Sequence, residues 1–220
     1  MPNNQDVEKG RRSPGFVQTF SRIAPVYEEK YAEKLHQAHD ECLRTLSQSL
    51  DVSAPDCVLD IGCGTGALLA QLHTQWPTAN YVGIDPAQGM ISEGKKRRPF
   101  ASFIQGSAES VPLPSASVDW VVCSMSFGHW GDKSAGLREV RRLLKPQGLF
   151  CLVENAPAGW GVTTLINWLL GSLADYRPEG EIIRLAHHAG LKKITSQTTE
   201  QRIIVATFRP DHGAPIQHGH

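Results

Sequence analysis

The feature that most limits what this chain can fold into is a pair of short segments. Residues 58–66 read Val-Leu-Asp-Ile-Gly-Cys-Gly-Thr-Gly, and residues 81–85 read Tyr-Val-Gly-Ile-Asp. The first is an apolar run of strand length that enters a glycine-rich turn. Beyond the turn, Leu68, Leu69 and Leu72 recur at helical spacing, and Pro77 stands past the end of that helix. The second apolar run ends on a carboxylate. Strand, tight turn, helix and strand in this order call for a right-handed parallel crossover. Glycine lets ligand atoms approach the backbone with no Cβ between them. The helix start offers unpaired N–H groups and the positive end of its dipole. Asp85 can accept hydrogen bonds from both hydroxyls of a ribose. Together the two segments are the sequence form of an adenosine-binding α/β half-domain.

The alternation continues. Phe16–Ile23 and Tyr27–Leu50 read as helices, the first stopped near Pro25. Pro86 opens a helix reaching about Arg97. Ala101–Gln105 is a third strand, Val118–Ser124 a fourth and near-continuously apolar one, and Leu149–Glu154 a fifth. Leu137, Val140 and Leu144 mark the helix between the last two. Trp160–Leu173 is unusually apolar and reads as helical. Glu179–Ala189 is a further helix with Gly190 as its C′ residue. Leu191–Thr199 and Arg202–Phe208 form a final antiparallel pair. The expected fold is a doubly wound, mostly parallel sheet of seven strands, helices on both faces, closed by an antiparallel C-terminal hairpin. Residues 15–209 are expected to form one domain, with 15–53 as an N-terminal helical lid and with tails at 1–14 and 210–220.

Lys+Arg and Asp+Glu both total 22, so no net field favours nucleic acid or an acidic membrane. The five cysteines show no CxxC spacing, and Cys57, Cys123 and Cys151 fall in strands, where they read as small apolar core residues. No metal site is expected, and the histidines near the C-terminus read as solvated. No apolar run spans a bilayer and the N-terminus has no apolar signal core, so the expected location is cytoplasmic.

Five motifs in order carry a family resemblance: Val58–Gly66, Val82–Met90, Gly106–Pro112, Ser117–Ser124 and Arg138–Leu149. From about Phe20 to Phe208 the chain resembles the class I S-adenosylmethionine-dependent methyltransferases, of the small-molecule branch that includes the ubiquinone/menaquinone-pathway C-methyltransferases. Gly62-Cys63-Gly64-Thr65-Gly66-Ala67 also satisfies G-x-G-x-x-A, a nicotinamide-cofactor fingerprint, so an NAD(P)-dependent oxidoreductase is a rival. Asp60 before the first glycine, Ser107-Ala108-Glu109 after the third strand, and the terminal antiparallel pair favour the methyltransferase. A catalytically silent adenosine-binding interaction protein is the other alternative, kept open by Gly128 and Ser107, which depart from common family patterns.

The resemblance implies S-adenosylmethionine as cofactor and assigns roles. Gly62, Cys63 and Gly64 border its methionine part, Asp60 approaches its amino group directly or through water, and Asp85 meets the ribose. Pro86 and Met90 cover one face of adenine and Ala108 the other, with Ser107 or Glu109 near its amino group. Cys123 faces the cofactor through its backbone carbonyl, and Tyr27 belongs to the lid. Each has a plainer reading as turn, cap or core.

The methyl acceptor is expected to be a small, partly apolar, aromatic molecule methylated on O or N, with carbon the runner-up. Tyr31, His129, Trp130, Trp160 and Trp168 are its candidate contacts, and His129 and Glu154 the candidate general bases, needed only where the nucleophile must lose a proton. Residues 160–170 are apolar enough to wall that pocket, to form a homodimer face, or to be plain core.

Overall fold

The computed structural model describes residues 14–48, 54–157 and 176–213. The apolar segment with Trp160 and Trp168, and most of both tails, lie outside the described residues. The elements follow the expected alternation: α1 (Pro14–Ile23), α2 (Tyr27–Gln48), β1 (Cys57–Ile61), α3 (Ala67–Gln75), β2 (Asn80–Asp85), α4 (Gln88–Arg97), β3 (Ala101–Gln105), β4 (Val118–Ser124), α5 (Lys133–Leu143), β5 (Leu144–Asn155), α6 (Glu179–His188), β6 (Leu191–Thr198) and β7 (Ile203–Pro210).

The strands form one seven-stranded sheet in the order β3-β2-β1-β4-β5-β7-β6. The first five are parallel, and β7 is antiparallel to both β5 and β6. Strand order reverses between β1 and β4, which opens a crevice beyond the carboxyl ends of the strands.

Side chains along β4 alternate between two cores, as strand geometry requires. Val121 and Cys123 join Leu137, Val140, Ile182 and Ala186 of α5 and α6. Trp120 and Val122 join Ala38, Cys42 and Leu46 of α2 and Leu68, Leu69 and Leu72 of α3. Cys123 and Cys151 are fully buried, whereas Cys57 is half-buried.

Most element ends shift by a residue or two, and two departures from the sequence reading are larger. β5 starts at Leu144 rather than Leu149, because Val118 pairs with Leu144 across a register shift in β4. α2 is interrupted at Tyr31, whose φ of −117° and ψ of 15° are not helical. Gly190 does terminate α6, with φ +76° and its N–H donating to the His187 carbonyl at 3.0 Å. Among the described residues no helix is long and apolar enough to cross a membrane.

Candidate functional site

The glycine turn is built on the end of β2. The N–H groups of Gly62 and Cys63 both donate to the Ile84 carbonyl, at 2.8 and 3.0 Å. Gly62 and Gly64 have φ of +77° and +53°, the left-handed region where a Cβ is disfavoured. Gly62 also has no room, since a Cβ there would lie 2.3 Å from that of Ser126. Ser126 follows β4 and donates its hydroxyl to the Ile61 carbonyl at 2.6 Å, joining the ends of β1 and β4 at the switch point.

Asp85, at the end of β2, ties the turn to the next helix. One carboxylate oxygen accepts from Gly64 N–H at 3.0 Å and the other from Ala87 N–H at 2.8 Å. Each oxygen of an ionised carboxylate has capacity for more than one such bond.

Above this floor lies a cavity of about 400 Å³. Its wall contains Gly62, Gly64, Asp85, Pro86, Met90, Ser107, Ala108 and Glu109 of the expected donor set, with Tyr27 from α2 and His129 and Trp130 after β4. Tyr27 sits over Gly64, its ring 3.7 Å from where a Cβ would be. Burial, then the negative charge of Asp85, pushes the Tyr27 phenol far above its ordinary value, so it stays protonated. His129 is half-buried, with the rings of Phe20 and Tyr176 at centroid distances of 6.2 and 6.4 Å. Trp130 is mostly core: it packs edge-on against Phe127 and covers Gly136. Glu109 accepts from Asp132 N–H at 3.0 Å, and Asp132 caps α5 through Ala135 N–H at 2.9 Å.

Other candidates sit elsewhere. Asp60, Cys63 and Cys123 are buried and stand outside the cavity wall. Asp60 shares the sheet face of Val58, turned toward α2 and α3, and burial followed by the Asp85 charge raises its pKa to about 8. The Cys63 thiol is pushed up by burial and by the charges of Asp60 and Asp85. The Cys123 thiol, also raised by burial, meets the Ser126 hydroxyl at 3.1 Å. Tyr31 lies against Tyr27 with its ring tilted by 49° at a centroid distance of 5.0 Å, and is not among the residues that line the cavity.

Glu154 is not among the residues that line the cavity. It is fully buried, and its carboxylate oxygens accept from the N–H groups of Gly128 at 2.9 Å and Asn155 at 2.8 Å. Burial raises its pKa. In this arrangement Glu154 holds the turn that carries His129. Trp160 and Trp168 lie outside the described residues.

The cavity also includes residues that pattern reading missed: Val17 and Phe20 of α1, Ala87, Gly106, Met125, Ser126, Gly131 and Asp132. The amphipathic pattern of α1 marks Phe20 as inward-facing but does not say against what. No local signal marks Ser126, because its place depends on β4 lying beside β1.

Residues 59–152 match the family described as a methyltransferase domain. The chain is 33% identical over 183 residues to malonyl-[acyl-carrier protein] O-methyltransferase of Dechloromonas aromatica, covering 80% of this chain and 65% of that protein. It is 27% identical over 148 residues to a ubiquinone/menaquinone biosynthesis C-methyltransferase of Campylobacter jejuni, covering 63% of this chain and 62% of the relative. The chain thus spans slightly less than two thirds of the length of these relatives. Among solved structures, a chain from the complex between the Haloferax volcanii Trm112 methyltransferase activator and its putative methyltransferase superposes with a TM-score of 0.72. That match has 19% identity and covers 88% of this chain and 98% of the other, a likeness of fold.

Proposed function

We propose that this chain, which belongs to the class I S-adenosylmethionine-dependent methyltransferases, transfers the methyl group of S-adenosylmethionine to a small, partly apolar acceptor. The observation that carries the reading is one cavity, at the point where strand order reverses, walled by the glycine turn, Asp85, the Gly106–Glu109 loop and the N-terminal helices. The residues fit the cofactor. Asp85 has the acceptor capacity for ribose hydroxyls, Pro86, Met90 and Ala108 offer apolar walls for adenine, and Gly62 and Gly64 leave backbone bare beside the methionine part.

When bound, S-adenosylmethionine supplies a methyl group activated on a sulfonium, open to in-line displacement. The protein's task is to align the acceptor and keep water out. Tyr27 and Phe20 close the cavity from above with neutral rings. His129, at the cavity rim, is the group placed to take a proton where the acceptor is a hydroxyl. Glu154 supports it by holding the 127–129 turn. An O- or N-methylated aromatic metabolite is the acceptor class this wall favours.

The test begins with thermal unfolding of the whole chain. S-adenosylhomocysteine at a hundredfold excess over its dissociation constant should stabilise by about 2.7 kcal/mol. For a chain of this size that is a melting shift on the order of 5–10 °C. A labelled-methyl screen against phenols, quinols, amines and heteroaromatic compounds then reads transfer. A shift with NAD or NADP and none with the methyl donor would sink the proposal. Tight donor binding with no transfer to any acceptor would favour the silent binding protein.

A further inference from the structure

Residues 14–30 are attached to the molecule quite differently from the later part of α2. Beyond Ala38, α2 is embedded in the core through Ala38, Cys42 and Leu46. Before Tyr31, the apolar hold is a small satellite cluster of Ala24, Ala87 and Met90, with Val17, Phe20 and Tyr27 packed against it. Between the two stretches Tyr31 departs from helical geometry. A segment with so few buried contacts opens at lower free energy than the core does.

Its polar fastening centres on one carboxylate. Glu28, in the first turn of α2, accepts two hydrogen bonds from the Arg98 guanidinium, at 2.7 and 2.8 Å. It accepts a third from the hydroxyl of Thr65, inside the glycine turn. Arg97 stands 3.8 Å away and donates to the Pro25 carbonyl at 2.7 Å. A longer bond of 3.2 Å, from Gly89 N–H to the Ser21 hydroxyl, adds a neutral tie to α4. Burial acts against the Glu28 charge, but the hydrogen bonds from Arg98 and Thr65 override it and hold the carboxyl below its ordinary range. Arg98 is only 12% exposed and Thr65 1%, so solvent screens this pair less than a surface one. Glu28 therefore ties the segment carrying Phe20 and Tyr27 to the glycine turn, a wall of the cavity, and to the far end of α4.

We infer that Glu28 is a positioning residue: it latches residues 14–30 over the donor cavity, with Tyr31 as the hinge, and sets how fast donor and product exchange. The inference rests on the donor reading above. A ligand enclosed by Phe20 and Tyr27 leaves when the segment swings away, and that requires breaking the Glu28 contacts.

The experiment measures the dissociation rate of S-adenosylhomocysteine from the full chain by stopped-flow displacement. Glu28→Gln keeps the shape and removes the charge, and should raise that rate about tenfold, equivalent to about 1.4 kcal/mol. Arg98→Gln removes two of the three hydrogen bonds to Glu28 and should raise the rate in the same direction but by less, and the double variant should go no further than Glu28→Gln. Glu41→Gln, which removes an ion pair with Arg44 beyond the hinge, should leave the rate unchanged. In turnover, the KM for the methyl donor should rise in Glu28→Gln without a fall in kcat, a split that general destabilisation would not give. If the parent binds S-adenosylhomocysteine and Glu28→Gln releases it at the parent's rate, the latch is refuted and the donor reading stands. If the parent binds none, both fall together. Should Glu28→Gln not fold, Arg98→Gln decides by the same measurement: faster release supports the latch and release at the parent's rate refutes it.

Discussion

Replacing Asp60 with Asn should change how stability depends on pH, and the size of the change follows from where the carboxyl sits. Asp60 is 2% exposed, on the sheet face covered by α2 and α3. Burial, reinforced by the charge of Asp85, raises its pKa from 3.8 to about 8. The folded chain keeps this proton up to about pH 8, while the unfolded chain releases it at about pH 4. Between those values the unfolded state binds one proton fewer, so stability falls as pH rises, by up to about 1.4 kcal/mol per pH unit. The contribution is complete below the lower value and gone above the upper one. Asn fills nearly the same space and cannot ionise. Urea unfolding of both proteins at steps from about pH 5 to pH 8 should show the stability of Asp60→Asn relative to the parent growing by roughly 1 kcal/mol per pH unit. Glu154, whose pKa is raised too, titrates in the same direction in both proteins and cancels from the difference. A difference that stays flat with pH would refute the reasoning. Repeating the series with saturating S-adenosylhomocysteine tests the donor role of Asp60: a carboxylate that meets the amino group, directly or through water, should lose much of its pH slope in the complex.

Three further outcomes are expected. Asp85→Ala should weaken S-adenosylhomocysteine binding by roughly 2–4 kcal/mol in calorimetry, because charge-assisted bonds to ribose are lost along with those that hold Gly64 and Ala87; unchanged affinity would show that the donor lies elsewhere. Gly62→Ala combines a left-handed φ with a 2.3 Å approach to Ser126, so urea unfolding should show a loss of about 2–4 kcal/mol, and a neutral result would contradict the turn geometry. Glu154→Gln should cost about 1–3 kcal/mol by leaving one of two buried N–H groups poorly paired, and it should lower kcat while leaving donor affinity intact; a variant as stable as the parent would mean that Glu154 does not hold the 127–129 turn.

The order of strands and helices was legible in the sequence because each element carries its own period, and the glycine turn and Asp85 because their chemistry is local. Gly62, Gly64 and Asp85 bond within their own turn and to the strand beside it, so a linear pattern was enough to find them. The terminal hairpin was visible as two runs, but the insertion of β7 between β5 and β6 is a matter of pairing. The same limit applies to the site. Ser126 reaches the turn only because β4 lies beside β1, and Glu154 meets the backbone N–H groups of Gly128 and Asn155, contacts that no local pattern marks. By register Asp60 and Asp85 share one sheet face, yet Asp60 pairs with Gly83 inside the sheet and is buried, whereas Asp85 stands two residues beyond Gly83 at the end of β2 and lines the cavity. The Glu28–Arg98–Thr65 contacts join three elements far apart in sequence. Local sequence determines which backbone shapes are accessible, whereas long-range packing decides which side chains meet, and with them which carboxylates are charged, which are buried and which can touch a ligand.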